Sequence, residues 1–217
     1  SLSPSGIFAG GPYNCAQGSI SKATSQCMNA LSPPPVSSFI STTNTRASNG
    51  QLDPTSNLAN QRVFMFSGTA DTTVRQPVMD ALQTYYKNYI TGPQGSIVYA
   101  NNIKAAHTQP TDDPINKNAC TTSASPYISN CNYDGAGYAL QQIYGNLTAR
   151  NNGQLSGSLI QFDQSEFISS GYGMATSGWL YVPASCSQGT PCKVCSRLLL
   201  LLVKTHPLTH SLSLLWL

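Results

Sequence analysis

The feature that most constrains the fold is a strand–helix–strand signature in the first half of the chain. Arg62-Val63-Phe64-Met65-Phe66 is a continuous apolar run of strand length, ended by Ser67-Gly68. From Pro77, a good first helical residue, Val78, Met79, Leu82, Tyr85, Tyr86 and Tyr89 recur at helical spacing, and Gly92-Pro93 closes the segment. Ser96-Ile97-Val98-Tyr99 is the next strand. Ile7-Phe8-Ala9-Gly10-Gly11-Pro12 reads as the end of an earlier strand entering a glycine turn. Buried-looking strands alternating with a helix indicate an α/β fold with a mostly parallel sheet. Residues 14–60, rich in Ser, Asn and Pro, are expected to be mostly loop with short helices. Residues 107–132 read as a polar, Pro-bearing loop and 137–147 as a helix with Leu140, Ile143, Tyr144 and Leu147 on one face. Residues 157–162 and 178–182 read as two further strands.

Charge narrows the partners. Lys+Arg number 11 and Asp+Glu 8 in 217 residues, 9 % of the chain against about 25 % for an ordinary domain. Neutral Ser, Thr, Asn and Gln, about a third of the residues, supply the polarity instead. A net charge of +3 without a Lys/Arg run argues against a nucleic-acid surface. The 11 Tyr, 6 Phe and spaced apolar runs argue against charge-driven disorder. Leu198 to Val203 is apolar but stops after six residues at Lys204, far short of the about 20 residues a membrane span needs.

The 7 cysteines in so polar a chain suggest an oxidising, extracellular compartment. Many pairings are open. The sequence-local set is favoured: Cys15 with Cys27, Cys120 with Cys131 and Cys186 with Cys192, leaving Cys195 over. Cys192-Lys-Val-Cys195 stands without a second CxxC, which makes a zinc site a weak reading, so no metal is expected. His206 and His210 are read as incidental, since Pro207 between them disfavours the helix that would present both to an ion. Asn146-Leu147-Thr148 is a glycosylation sequon in a secreted protein. The sequence has no signal peptide and begins at Ser1, read as a processed or truncated end.

With 3 His in the chain, proton-transfer candidates are few. Asp71 lies just past the strand at 62–66, and His107 just past the strand at 96–99. In a parallel sheet both loops emerge on the carboxyl edge, where ligands and catalytic groups collect. An acid after one strand and a histidine after the next is the later half of the Ser…Asp…His order of α/β-hydrolases. Asp71 would then hold the imidazole tautomer, and His107 would move the proton. Against this stand plainer readings, with Asp71 a turn residue and His107 an ordinary surface histidine. No Gly-x-Ser-x-Gly occurs in the 217 residues, so the nucleophile is missing.

The motifs resemble one family, the secreted poly(3-hydroxybutyrate) depolymerases of the single-domain fungal type. The resemblance is carried by Phe8-Ala9-Gly10-Gly11-Pro12-Tyr13 with Cys15, by Ser67-Gly68-Thr69-Ala70-Asp71-Thr72-Thr73-Val74, and by Ala106-His107-Thr108-Gln109-Pro110-Thr111-Asp112. The longest match is Ser125-Pro126-Tyr127-Ile128-Ser129-Asn130-Cys131-Asn132-Tyr133-Asp134-Gly135-Ala136-Gly137. Ile143-Tyr144-Gly145 and Tyr181-Val182-Pro183 with Cys186 complete a resemblance running from about residue 6 to residue 192.

The resemblance implies an incomplete, circularly permuted α/β-hydrolase in which Asp71 and His107 occupy the catalytic acid and histidine positions. The strands near 157–162 and 178–183 resemble the hairpin that normally opens such a fold. The implied activity is hydrolysis of ester bonds in polyhydroxybutyrate or short esters through an acyl-enzyme, without a cofactor, by a secreted monomer. The serine elbow is expected before Ser1, so this chain alone is expected to be nearly inactive. Residues 1–195 would be the partial hydrolase domain and 196–217 a Leu-rich tail unrelated to the family pattern. The competing expectations are a non-catalytic secreted module that binds polymer through exposed Tyr and Trp179, and a nonfunctional truncated product.

Overall fold

The computed structural model describes residues 4–115, 118–151, 153–168 and 175–193. It divides into two compact units, one reaching to Thr148 and one beginning at Ala149. Cys195, the Leu198 to Val203 run, His206, His210 and the 196–217 tail lie outside the described residues.

The first unit is built on three parallel strands, β1 (Ser5–Phe8), β2 (Val63–Phe66) and β3 (Ile97–Ala100), in the order β1-β2-β3. Phe8 is level with Phe66 and Phe66 with Ala100, so all three carboxyl ends reach one edge together. Helices α1 (Ile20–Ser25) and α2 (Val36–Ser48) lie between β1 and β2 in sequence, and α3 (Gln76–Tyr89) lies between β2 and β3.

Alternation along β2 divides the core. Val63 and Met65 pack with Phe39 of α2 and with Met79, Leu82, Tyr85 and Tyr89 of α3. Phe64 and Phe66 point the other way, into a cluster with Ala105 and with Ala139 of α4 (Gly135–Tyr144). Both faces of β2 are therefore covered, which explains four apolar residues in a row where a half-exposed strand would alternate. On the α2/α3 side the Tyr85 hydroxyl meets Thr43 Oγ1 at 2.8 Å, while Thr43 donates to the Phe39 carbonyl. Burial pushes the Tyr85 phenol well above its ordinary range.

Three segments differ from the sequence expectation. The 14–60 stretch holds a 13-residue helix, α2, where short helices were expected. Its buried residues are Phe39 and Thr43, so it shows no broad apolar stripe. The helix expected over 137–147 is shifted to 135–144: the Asp134 carboxylate accepts from the Gly137 N–H at 2.9 Å, and Gly145 ends it at φ 83°. The 107–132 loop contains a small parallel sheet of β4 (Gln109–Thr111), β6 (Ile128–Asn130) and β5 (Asn118–Ala119), in that spatial order. Strands of two or three polar residues leave no period to read.

The second unit carries an antiparallel hairpin, β7 (Ser158–Asp163) with β8 (Ser177–Val182), followed by the short helix α5 (Ala184–Ser187). Disulfides join Cys15 to Cys27, Cys120 to Cys131 and Cys186 to Cys192.

Phe39 is fully buried, so Phe39→Ala should cost about 3–5 kcal/mol in urea unfolding. Leu31→Ala, at a well-exposed position, should stay within about 0.5 kcal/mol.

Candidate active site

Asp71 and His107 are brought together at the carboxyl edge. The loop after β2 carries Asp71 and the loop after β3 carries His107, so adjacent parallel strands place the two residues side by side although 36 positions separate them. His107 Nδ1 lies 2.9 Å from Asp71 Oδ2. The other carboxylate oxygen, Oδ1, accepts from the Thr73 N–H at 2.8 Å and the Val74 N–H at 2.9 Å. Two backbone donors thus aim the carboxylate, and the oxygen left over faces the imidazole.

Because a carboxylate oxygen accepts, Nδ1 carries the ring proton of the neutral imidazole and Nε2 keeps a lone pair. The Asp71 side chain is 2 % exposed, whereas that of His107 is 34 % exposed. Such an imidazole can take a proton from a neighbouring hydroxyl and pass it on to a leaving group, with the carboxylate stabilising the imidazolium.

The two loops are pinned by more than this pair. The Thr69 N–H donates to the Ile103 carbonyl at 2.8 Å and the Ala70 N–H to the Ala105 carbonyl at 3.1 Å. Gly68 is the tightest point: a Cβ there would stand 2.1 Å from the Ala105 carbonyl oxygen. Gln76, the first residue of α3, bridges the same two connections. Its Nε2 donates to the Asn101 carbonyl at 2.7 Å and the Ser67 carbonyl at 3.3 Å. Neither Gln76 nor the role of Gly68 was visible in the sequence, because a glutamine before Pro77 and a glycine after a strand are ordinary boundary residues.

Other features of this unit do not involve the pair. The Tyr99 hydroxyl donates to Asp80 Oδ1 at 2.9 Å, and burial, reinforced by that carboxylate, pushes its phenol far up. A concavity of about 410 Å³ lies on the α4 side, lined by Phe64, Val98, Tyr133, Tyr138, Gln141 and Gln142. Neither Asp71 nor His107 lines it. Asn146, the sequon residue, is exposed just after α4. Among the described residues no group of three or more His, Cys, Asp or Glu is arranged to hold a metal ion. No helix among them is long and apolar enough to cross a membrane.

No family model matches the chain. Its sequence relatives include a poly(3-hydroxybutyrate) depolymerase of Delftia acidovorans, 51 % identical over 85 % of this chain and 36 % of that protein. A polyhydroxybutyrate depolymerase of Talaromyces funiculosus is 43 % identical over 88 % of this chain and 54 % of that protein. Among solved structures, the PHB depolymerase of Penicillium funiculosum matches with a TM-score of 0.74 at 41 % identity, over 86 % of this chain and 57 % of that one. A PHB depolymerase variant complexed with an R3HB trimer matches with a TM-score of 0.73. The chain is thus related to PHB depolymerases in sequence and shares their α/β fold over most of its length, while spanning between about a third and just over half of theirs.

Gly68→Ala should force the two loops apart, because the obstacle at 2.1 Å is backbone and cannot rotate away. The expected outcome is loss of the His107–Asp71 hydrogen bond, read as disappearance of the low-field Nδ1 proton resonance in NMR. Leu31→Ala, at a well-exposed position, should leave that resonance in place.

Proposed function

We propose that this chain is the acid–histidine part of a secreted serine esterase that hydrolyses ester bonds of poly(3-hydroxybutyrate) and short-chain polyhydroxyalkanoates. The observation that carries the reading is the His107–Asp71 bond of 2.9 Å, with the second carboxylate oxygen held by two backbone N–H groups. The names of the relatives and of the complex with an R3HB trimer support the polyester substrate.

In this reading His107 Nε2 takes the proton of a serine hydroxyl as that oxygen attacks the ester carbonyl. The resulting imidazolium returns the proton to the departing alkoxide, leaving an acyl-enzyme. His107 then deprotonates a water that attacks the acyl carbon, and the proton returns to the serine as the hydroxy acid leaves. Asp71 holds the tautomer and the orientation throughout. The serine belongs to sequence that the relatives have and this chain does not span, since no Gly-x-Ser-x-Gly occurs in the 217 residues. Residues 1–195 form the hydrolase part and 196–217 a segment unrelated to it. Three disulfides support secretion, and Asn146 is then a glycosylation acceptor on a monomeric enzyme.

One observation favours a second reading, polymer binding without catalysis. Leu159, Tyr181 and Trp179 share one face of the β7–β8 hairpin, and Leu159 and Trp179 are 64 % and 62 % exposed. Binding to polymer powder that survives His107→Ala but is lost in Trp179→Ser, with no esterase activity in a chain extended by the serine segment, would select it.

The main test uses that extended chain and a short soluble ester. Asp71→Asn should lower kcat by about 10⁴-fold, the loss that a wrong imidazole tautomer brings in the Ser-His-Asp template. KM should change little, because neither residue is assigned to ground-state binding. The 217-residue chain itself should not be labelled by diisopropyl fluorophosphate; stoichiometric labelling would place the nucleophile inside it and overturn this reading.

A further inference from the structure

The histidine loop is gripped from one side at three consecutive residues. The Ala106 N–H donates to the Cys120 carbonyl at 2.9 Å. Ser123 Oγ donates to the His107 carbonyl at 3.2 Å. Thr108 Oγ1 lies 2.7 Å from Ser129 Oγ. All three partners belong to the segment 120–131, whose ends are joined by the Cys120–Cys131 disulfide.

Within this grip Ser129 differs from the rest. It is fully buried in the middle of β6, in register with Pro110 of β4. Its hydroxyl has a single proton, and the Thr122 carbonyl at 3.2 Å can only accept, so both contacts are hydrogen bonds in the arrangement where the Ser129 O–H points to Thr122 and Thr108 donates across the 2.7 Å contact. The relay runs from Thr108 O–H to Ser129 Oγ, and from Ser129 O–H to the Thr122 carbonyl, with every hydroxyl proton used. A satisfied buried chain of this kind fixes one arrangement, because a member that swings away leaves a polar atom unpaired in the interior.

We propose that Ser129 is a positioning residue for His107: its buried hydroxyl locks Thr108, and with it the backbone from which the imidazole reaches Asp71. The proposal rests on the reading of Asp71 and His107 as the catalytic pair. The hydrogen bonds of the Ser129 hydroxyl go to Thr108 and Thr122, not to the imidazole. Ser129 acts by denying the loop the small displacement that would lengthen the 2.9 Å bond.

The test reads the His107 Nδ1 proton by NMR in the isotope-labelled 217-residue protein, as its rate of exchange with water. Ser129→Ala and Thr108→Val, which remove the acceptor and the donor of one bond, should each speed that exchange by up to about tenfold, the scale of one hydrogen bond's net contribution. The double variant should be no worse than Ser129→Ala, since Thr108→Val deletes no bond that Ser129→Ala leaves in place. Thr108→Ser keeps the donor and should exchange at the original rate. Protection of the β2 backbone amides should be unchanged in all of these, which separates a local effect on the loop from general loosening. In the chain extended by the serine segment, Thr108→Val should lower kcat and leave KM unchanged. Should Ser129→Ala fail to fold, Thr108→Val decides alone. Wild-type exchange in Thr108→Val, together with loss of the protected proton in Asp71→Asn, would overturn the role of Ser129 and leave the pair standing. An Nδ1 proton indifferent to Asp71→Asn would overturn the pair and the proposal with it.

Discussion

The approach of Gly68 to the Ala105 carbonyl is the constraint from which the site follows. Two parallel strands that end level would let their loops diverge, since the β2–β3 register ends at Phe66 and Ala100 and the ladder closes with the Ser67 N–H on the Ala100 carbonyl at 2.9 Å. The missing side chain at Gly68 lets the backbone of one loop lie against the other, and the hydrogen bonds from Thr69 and Ala70 then carry the pairing beyond the sheet. Asp71 and His107 meet because the gap between their loops has been closed one turn earlier. The imidazole–carboxylate bond is thus the last contact in a seam that begins inside β2 and β3.

Most of that seam is held by neutral groups. A chain with 9 % charged residues has few ion pairs to spend on architecture, and around this site amides and hydroxyls take their place. Gln76 spans two carbonyls, Ser123 holds the His107 carbonyl, and Thr108 leans on Ser129. The ion pair of the imidazole is the one with Asp71, which an arrangement of amides and hydroxyls leaves in place as the charged partner of the ring.

How much of this was legible in the sequence follows from the reach of each signal. The apolar run at 63–66 and the 3.6-residue period from Val78 to Tyr89 are local consequences of burial, so β2 and α3 could be read directly. Asp71 and His107 could be placed on one edge from topology alone, because each follows a strand of a parallel sheet. Helix α2 was under-read because Phe39 and Thr43 are all it buries, and β4 to β6 were missed because two- or three-residue polar strands have no period. Gly68, Gln76 and Ser129 act across 7 to 37 positions, through one or two contacts each, on partners that periodicity does not point to. Ser129 even carries the wrong signal, since a serine beside Asn130 in a stretch that reads as polar loop suggests surface, whereas it is fully buried.

The two disulfides of the first unit extend the same logic outward. Cys27 is bonded to Cys15, and the carbonyl of the next residue, Met28, accepts from the Arg75 N–H at 2.9 Å, at the end of the loop that carries Asp71. Cys120 is bonded to Cys131, and its own carbonyl accepts from the Ala106 N–H at 2.9 Å, beside His107. Each bridge closes a loop of about a dozen residues, and in the chain-entropy account such closure removes about 3 kcal/mol of freedom from the unfolded chain. Their placement matters more than that sum. The apolar side chains that segment 15–27 buries, Cys15, Ala16, Ala23 and Cys27, are all small, and backbone that is not held cannot keep two side chains within hydrogen-bond reach. Covalent closure supplies the stiffness that packing supplies in β2, and supplies it at the two segments against which the acid and the histidine loops rest. Forming these bridges is in that sense part of bringing Asp71 and His107 within hydrogen-bond reach.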